Sequence, residues 1–367
     1  MRAILLAAAF LTGLGLAACA SAPRRGGTPA VTSASLAVTS TASVISAPTP
    51  EPAAPPTPSA GQSSSPIVSA PRPQAVPDVP PSDLLDSPGD ARLATAASSL
   101  QARKHAQARG ELRKIIAELD GSATRDVRMA AHALLGRACE GLKDDRCARE
   151  QYGIVRAAWQ DSASAVRELE SAGGDEPAKQ ARVRRALEAY GEALFKAAEE
   201  KRLAAEKPGF PAYQGKADAE SIKKHVATKV RDWMVARKAA LTDAEHAYMA
   251  VVDIQPQAPP RWVVASASSV GAMWGRFVAD FRAAPVPREW LGSGMLPGTK
   301  VPREEVRRSF SLALDQATEP QREQARAAFR YCQNWARKYA IADEHAKTCD
   351  AWLQKDAQAD PAPGPAP

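Results

Sequence analysis

The sequence predicts an all-α body carried on a long tether without regular structure, and three observations support this. Beyond about residue 89, apolar residues recur at i, i+3 and i+4, as in Leu93, Ala97 and Leu100 and again in Ala108, Leu112, Ile115, Ile116 and Leu119. The same part is rich in Ala, Arg, Glu and Leu and has few β-branched runs, a balance that favours helices over sheets. Finally, 15 of the 30 prolines fall between Ala20 and Pro88. That stretch shows neither strand nor helix periodicity, and it has too little apolar surface to offset the entropy of ordering it.

Residues 89–162 predict helical hairpins. The first has a turn around Lys104 and stops at Asp120-Gly121-Ser122. In the next, Leu135, Gly136, Cys139 and Leu142 lie on one helix, Lys143-Asp144-Asp145 makes the turn, and Ala148, Tyr152 and Val155 lie on the second helix. Setting Leu135-Gly136 at the seventh and eighth positions of a 34-residue unit puts Ala148 at the twentieth and Tyr152 at the twenty-fourth. Small residues there let two helices approach, and the aromatic ring fills the space they leave. The stretch from Met129 to Ser162 thus resembles a tetratricopeptide repeat, and Gly89 to Ser122 resembles one more loosely through Ala96, Ala108 and Leu112. The repeat's Trp at the fourth position and Pro at its end are absent. This resemblance implies a TPR-like α-solenoid with a concave face for protein partners.

Residues 163–358 predict longer packed helices into which the solenoid merges. Pro177 to Lys207 carries Ala186, Leu187, Tyr190, Leu194, Phe195 and Ala198 on one stripe, and Pro208-Gly209-Phe210-Pro211 breaks it. Asp218 can cap a helix running through Val226, Val230, Trp233 and Tyr248 to Ile254, long enough that a kink is expected near Leu241-Thr242-Asp243. Pro259-Pro260 ends that run, the most aromatic helix follows from Trp262 to Phe281, residues 285–302 form a proline-marked loop, and a last hairpin runs from Arg303 to Gln358. The stripe of Trp262, Trp274, Phe277 and Phe281 has helical spacing and reads as core. Glu245, Tyr248, Val251, Trp262, Ala265, Gly271, Trp274, Phe277, Pro285, Pro287, Phe310, Leu314, Pro320, Cys332 and Cys349 make this half similar to the C-terminal part of tetratricopeptide-containing envelope proteins of myxobacteria, some of them in gliding-motility machinery. Being core and turn positions, they imply a shared build and transfer no binding site. Residues 359–367 form a short proline-rich disordered tail.

At the other end, Met1-Arg2 precedes an apolar run from Ala3 to Leu16, too short for a membrane span of ~20 residues but suited to a secretory signal over residues 1–18. Leu16-Ala17-Ala18-Cys19 resembles the lipobox of bacterial lipoproteins, which implies lipidation of Cys19 and cleavage before it. The alternative is an ordinary signal ending near Ala18 or Ala20. Ala20 in place of Asp after the lipidated cysteine implies sorting to the outer membrane, with the body on the periplasmic face. Residues 19–88 would then be a tether reaching on the order of 50 Å as a coil and ~200 Å as polyproline II.

An exported protein with Cys139, Cys147, Cys332 and Cys349 besides Cys19 has an even set for disulfides. Three pairings are open. The helix pattern favours Cys139 with Cys147 and Cys332 with Cys349, each pair straddling one interhelical turn, although small buried thiols in a helical core are the other reading.

The 48 Lys+Arg against 41 Asp+Glu give +7, but opposite charges are interleaved along the helices rather than gathered in a stripe, so nucleic acid is not an expected partner. His105, His132, His225, His246 and His345 form no His-x-x-x-His pair, and no metal site is expected. Ser221-Ile222-Lys223-Lys224 matches Ser-x-x-Lys of penicillin-recognising enzymes without the companion motifs, and Gly292-Ser293-Gly294 lacks the context of a hydrolase elbow. With no phosphate loop either, the expectation is a non-enzymatic protein without cofactor or small-molecule substrate. It would be a lipid-anchored scaffold or accessory subunit of an envelope machine. The competing readings are an activator or assembly factor for cell-wall synthesis or outer-membrane protein insertion, and a cell-wall enzyme resting on Ser221 and Lys224. Arg103, Arg128, His132 and Arg137, beside an apolar stripe on the first helices, are the expected partner-binding residues.

Overall fold

The computed structural model describes residues 83–213, 215, 219–296 and 299–359. Among them every regular element is helical, and the one strand-like feature is an isolated bridge between Met295 and Pro302. Cys19, the signal, nearly all of the expected tether and the tail lie outside the described residues, as does Asp218.

Helices α1 (Ala91–Gln101) and α2 (His105–Ser122) form the first antiparallel pair, and α3 (Arg125–Gly141) and α4 (Asp145–Ala158) the second. Asp90 and Asp144 cap α1 and α4, their carboxylates accepting from the Arg92 and Cys147 N–H groups. Both pairs turn in the same way. Arg103 and Lys143 adopt left-handed backbone at φ 57° and 59°, and the next N–H reaches back five residues, from Lys104 to the Ser99 carbonyl at 2.8 Å and from Asp144 to Cys139 at 2.9 Å. That pattern ends a helix while satisfying its last carbonyls. Gly136 on α3 lies under the Tyr152 ring of α4, where a Cβ would come within 2.8 Å of it.

Helix α5 (Ser162–Ser171), capped by Asp161, has no counterpart in the expected pattern, and Gly173 and Gly174, both at positive φ, end it. The 31-residue α6 (Glu176–Glu206) starts from an Asp175 cap with Pro177 in its first turn. It packs on α3, α4 and α5 and also on two later helices, so the chain is not a stack in which each element meets only its sequence neighbours.

The later helices are α7 (Ala219–His225), α8 (Arg231–Val252), α9 (Pro260–Arg282), α10 (Arg303–Lys338) and α11 (Glu344–Ala359). The irregularity in the long segment from α7 to α8 sits at Val226–Val230, which is a π-helical turn, and not at Leu241-Thr242-Asp243 as the length suggested. Leu241, Ala244 and Tyr248 pack continuously against the core and hold α8 regular there, whereas the Thr228 hydroxyl donates to the Lys224 carbonyl at 2.8 Å and competes with the backbone ladder one turn earlier. Helix α9 is buried on most of its surface and touches α6, α8, α10 and α11. Its Trp262, Trp274, Phe277 and Phe281 are core residues. Gly271 lets α10 close in, since a Cβ there would meet the Phe329 ring at 2.8 Å. Helix α10 continues through Pro320, and it turns into α11 at Ala340, again left-handed at φ 52°, with the Ile341 N–H on the Ala336 carbonyl.

Candidate functional site

The most unusual chemistry in the described residues is a buried cluster of charges where α3, α6, α9 and the segment before α1 converge. Helix α3 presents Arg137, α6 presents Glu188 and Glu192 one turn apart, and the first turn of α9 presents Arg261. Arg137 holds Glu192 through two bonds of 2.6 and 2.8 Å, and its Nη1 donates to Asp83 at 2.8 Å. The other Asp83 oxygen takes a hydrogen bond from Arg261. Tyr152 donates to Glu140 at 3.2 Å and to Glu192 at 3.3 Å, and Lys196 pairs with Glu140 at 2.7 Å. Arg261 also lies over the Trp262 ring and 4.0 Å from Asp343.

Glu188 stands apart inside this cluster. It is 6 % exposed, yet no hydrogen bond or ion pair joins its carboxyl to another described residue. Burial pushes it up to about 8, with Arg261 opposing that shift and Asp83 and Glu192 adding to it. Asp83 is the reverse case. Burial would raise it, but Arg137 and Arg261 hold it down at about 2. Burial also works against the charge of Arg137, and Glu192 and Asp83 overcome that and keep it charged. Buried beside Glu192 and Glu140, the Tyr152 phenol lies well above its ordinary range.

Two other polar networks are fully paired. Glu199 accepts from Arg202, from the Tyr248 hydroxyl and from Ser269 at 2.9 Å, while Glu206 takes Arg202 at 2.9 Å and Arg276 at 3.1 Å. Asp356 of α11 bridges Arg322 at 2.8 Å and Arg326, one turn apart on α10.

The four residues expected to line a groove do not share one. Arg103 is exposed in the α1–α2 turn, and Arg128 on α3 reaches the Asp120 carbonyl at 3.4 Å and Glu168 at 3.6 Å. His132, only 6 % exposed, is wedged between Asp120 at 3.1 Å and Gln151 at 2.7 Å. Arg137 belongs to the buried cluster. His132 and Arg137 look solvated when α3 is viewed alone, but Asp120 of α2, Gln151 of α4, Glu192 of α6 and Asp83 take them inward. The cysteines are joined as Cys139–Cys147, with Cα atoms 5.8 Å apart, and Cys332–Cys349, 6.3 Å apart, each across one helical turn-around. Ser221 lies half-buried near the start of the short α7, and the Lys224 side chain is exposed. Among the described residues no three His, Cys, Asp or Glu side chains gather as a metal would need, and no helix is long and apolar enough to cross a membrane.

Asp83, Glu188, Glu192 and Arg261 escaped the sequence reading. One signal was available: Glu188 and Glu192 share the inner side of α6 with Leu187 and Phe195, and charges within an apolar stripe ask for partners. The chain matches no family model, no curated protein and no solved structure.

Proposed function

We propose that this chain is a non-enzymatic, lipid-anchored scaffold or accessory subunit of a bacterial envelope machine. It would sit at the periplasmic face of the outer membrane through Cys19 and bind protein partners through TPR-like helical hairpins. The observation that carries the reading is the order of parts: Leu16-Ala17-Ala18-Cys19, then the proline-rich stretch, then a body made only of helices among the described residues. The close packing of Gly136 under Tyr152, with Ala148 buried beside it, supports the TPR-like part, because these are the small and aromatic positions on which the resemblance rests. Since His132 and Arg137 are internally engaged, the partner face retains only Arg103 and Arg128 from the expected set.

Two measurements test this. Fatty-acid label should enter the wild-type chain and not Cys19→Ser, which should leave the membrane fraction. In crosslinked envelopes, charge reversal at Arg103 and Arg128 should reduce the capture of partners several-fold with an unchanged melting temperature, because exposed charges contribute ~0–1 kcal/mol to stability. Retention of Cys19→Ser in the outer membrane, or undiminished capture by the reversed variant, overturns the corresponding half of the proposal.

A further inference from the structure

Between α9 and α10 the chain runs through a loop whose backbone is tied down while its apolar side chains face water. Arg288–Trp290 is a single 3-10 turn, and the Trp290 ring stands edge-on to Phe310 of α10 with centroids 5.4 Å apart. The Leu296 N–H donates to the Val301 carbonyl and the Arg303 N–H to the Gly294 carbonyl, both at 2.9 Å. From the first turns of α10, Arg303 Nη1 donates to the Ser293 carbonyl at 3.0 Å, and Arg307 Nη1 to the Gly292 carbonyl at 2.9 Å and to that of Trp290. Gly292 and Gly294, at φ 80° and 92°, supply the left-handed backbone of this stretch.

Two side chains are left over. Leu291 is 51 % exposed and Met295 59 %. The other exposed large apolar residues, Ile154, Leu203, Val235 and Leu312, lie singly on α4, α6, α8 and α10, as isolated exposures commonly do. Only in this loop do two stand on one short segment. The charges around them are uneven as well. Residues 285–308 hold five Lys or Arg and three Glu, and Glu304 is taken by Arg308 at 3.3 Å. Arg288, Lys300, Arg303 and Arg307 remain against Glu289 and Glu305, and none of the four pairs with a carboxylate among the described residues. The Arg303 Nε is buried without a hydrogen-bond partner.

We propose that this loop docks on the surface of an anionic bilayer. Leu291 and Met295 enter the boundary between headgroups and acyl chains, and the exposed Arg288 and Lys300 lie on the headgroups. Three features favour lipid as the occupant. The carbonyls of Trp290, Gly292, Ser293 and Gly294 are all satisfied within the chain, which a segment entering an apolar boundary needs and a loop in water does not. Cations without carboxylate partners beside apolar side chains complement an anionic interface. A second copy meeting this loop about a two-fold axis would instead set cations against cations. The contact deepens the reading above, on which its membrane setting rests, but it does not use Cys19.

The test uses the full chain with Cys19→Ser, so that no acyl chain contributes, and with Met295→Cys carrying an environment-sensitive fluorophore, the four remaining cysteines being held in disulfides. The label reports on residue 295 alone, whatever the N-terminal run adds to attachment. On vesicles of phosphatidylglycerol mixed with phosphatidylethanolamine it should shift to the blue, whereas the same label at Ile154→Cys should stay in water. Arg288→Gln and Lys300→Gln should each weaken insertion about fivefold, and about thirtyfold together. Leu291→Ser should weaken it about tenfold. Helicity should be unchanged in all of these, since the substituted side chains are exposed. A label that stays in water on the anionic vesicles overturns the proposal, and an equal shift on phosphatidylcholine vesicles overturns the role of the cations. A shift that grows with protein concentration without vesicles assigns the loop to a second copy, and one produced only by envelope protein extract assigns it to a protein partner; either overturns lipid docking. None of these outcomes depends on whether Cys19 carries lipid, so the anchor and the loop stand or fall separately.

Discussion

Asp83 and Asp356 do the same chemistry in different places. Each is an aspartate that bridges two arginines, but Asp356 joins Arg322 and Arg326 on a single helix within 34 residues of chain, whereas Asp83 joins Arg137 and Arg261 on two helices, the second lying 178 residues away. The C-terminal bridge closes a hairpin that is already local and already fixed by Cys332–Cys349 and by Phe329 stacked on Trp352. The N-terminal bridge is the only carboxylate contact among the described residues that ties α3 to α9 through one side chain, and it comes from a segment outside both. A short-range bridge contributes stability to one hairpin. A long-range bridge contributes cooperativity between elements.

The largest effect should come from removing a cation in the long-range cluster. Arg137→Ala leaves Asp83 and Glu192 facing each other in a buried site, and breaking a buried pair in this way costs roughly 3–5 kcal/mol. Chemical denaturation should show that loss, together with a lower m-value if the two parts then unfold separately. An Arg322→Ala variant that destabilises the chain as much would show that range in sequence is not what distinguishes the two bridges.

Next in size are the disulfides. With sequence separations of 17 and 8, the chain-entropy model gives about 3 kcal/mol for Cys332–Cys349 and about 2.5 kcal/mol for Cys139–Cys147. Paired Cys→Ser variants compared by thermal melting should keep that order. The reverse order would mean that the α3–α4 hairpin depends on its staple more than on the Gly136–Tyr152 packing.

Smaller still are the two aspartates themselves. Asp83→Asn and Asp356→Asn should each cost about 1–3 kcal/mol at pH 7, the range for a lost charged hydrogen bond. Both carboxyls are held below their ordinary value. For Asp83, burial raises it and Arg137 and Arg261 prevail, and for Asp356, burial raises it and Arg326 and Arg322 prevail. A lowered acid contributes stability above its unfolded pKa of ~3.9 and loses it as pH falls toward the folded value. Each variant should therefore converge on wild type as pH drops from about 5 to about 2. A gap that persists at pH 2 would assign the loss to packing and not to charge.

Much of the helix map was legible in the sequence because its signals are local. Asp90, Asp144, Asp161 and Asp175 each precede a helix and cap it, and Pro177 and Pro260 sit in first turns where a missing N–H costs nothing. Asp161 with Ala165 and Leu169 even marked α5, too short a stripe to be noticed. What could not be read depends on distance or on departure from type. The partners of Arg137 lie 54 and 55 residues away, so a helix-face argument placed it in solvent. Nothing local marks the π turn at Val226–Val230, because the Thr228 back-bond within it is one that any exposed Thr can make or omit. The turns at Lys104 and Lys143-Asp144-Asp145 were legible, but not their left-handed residues, since Arg103, Lys143 and Ala340 stand where glycine is the usual signal.

Those three positions give the smallest prediction. An L-residue in left-handed backbone costs roughly 1 kcal/mol or more that glycine avoids, but glycine also frees the unfolded chain by about 0.4–1 kcal/mol. The net gain should thus be about 0.5 kcal/mol or less, and it should depend on how free the unfolded chain already is. Lys143 lies within the eight-residue interval closed by Cys139–Cys147, Ala340 within the 17-residue interval closed by Cys332–Cys349, and Arg103 within no disulfide loop. A closed short loop leaves the new glycine little unfolded freedom to exploit. Lys143→Gly should therefore stabilise most, Ala340→Gly next and Arg103→Gly least, as read from melting of the oxidised protein. After reduction the three gains should draw together, because the loops that separated them are open. Equal gains in the oxidised protein would mean that the two disulfides act through the folded hairpins and not by restricting the unfolded chain.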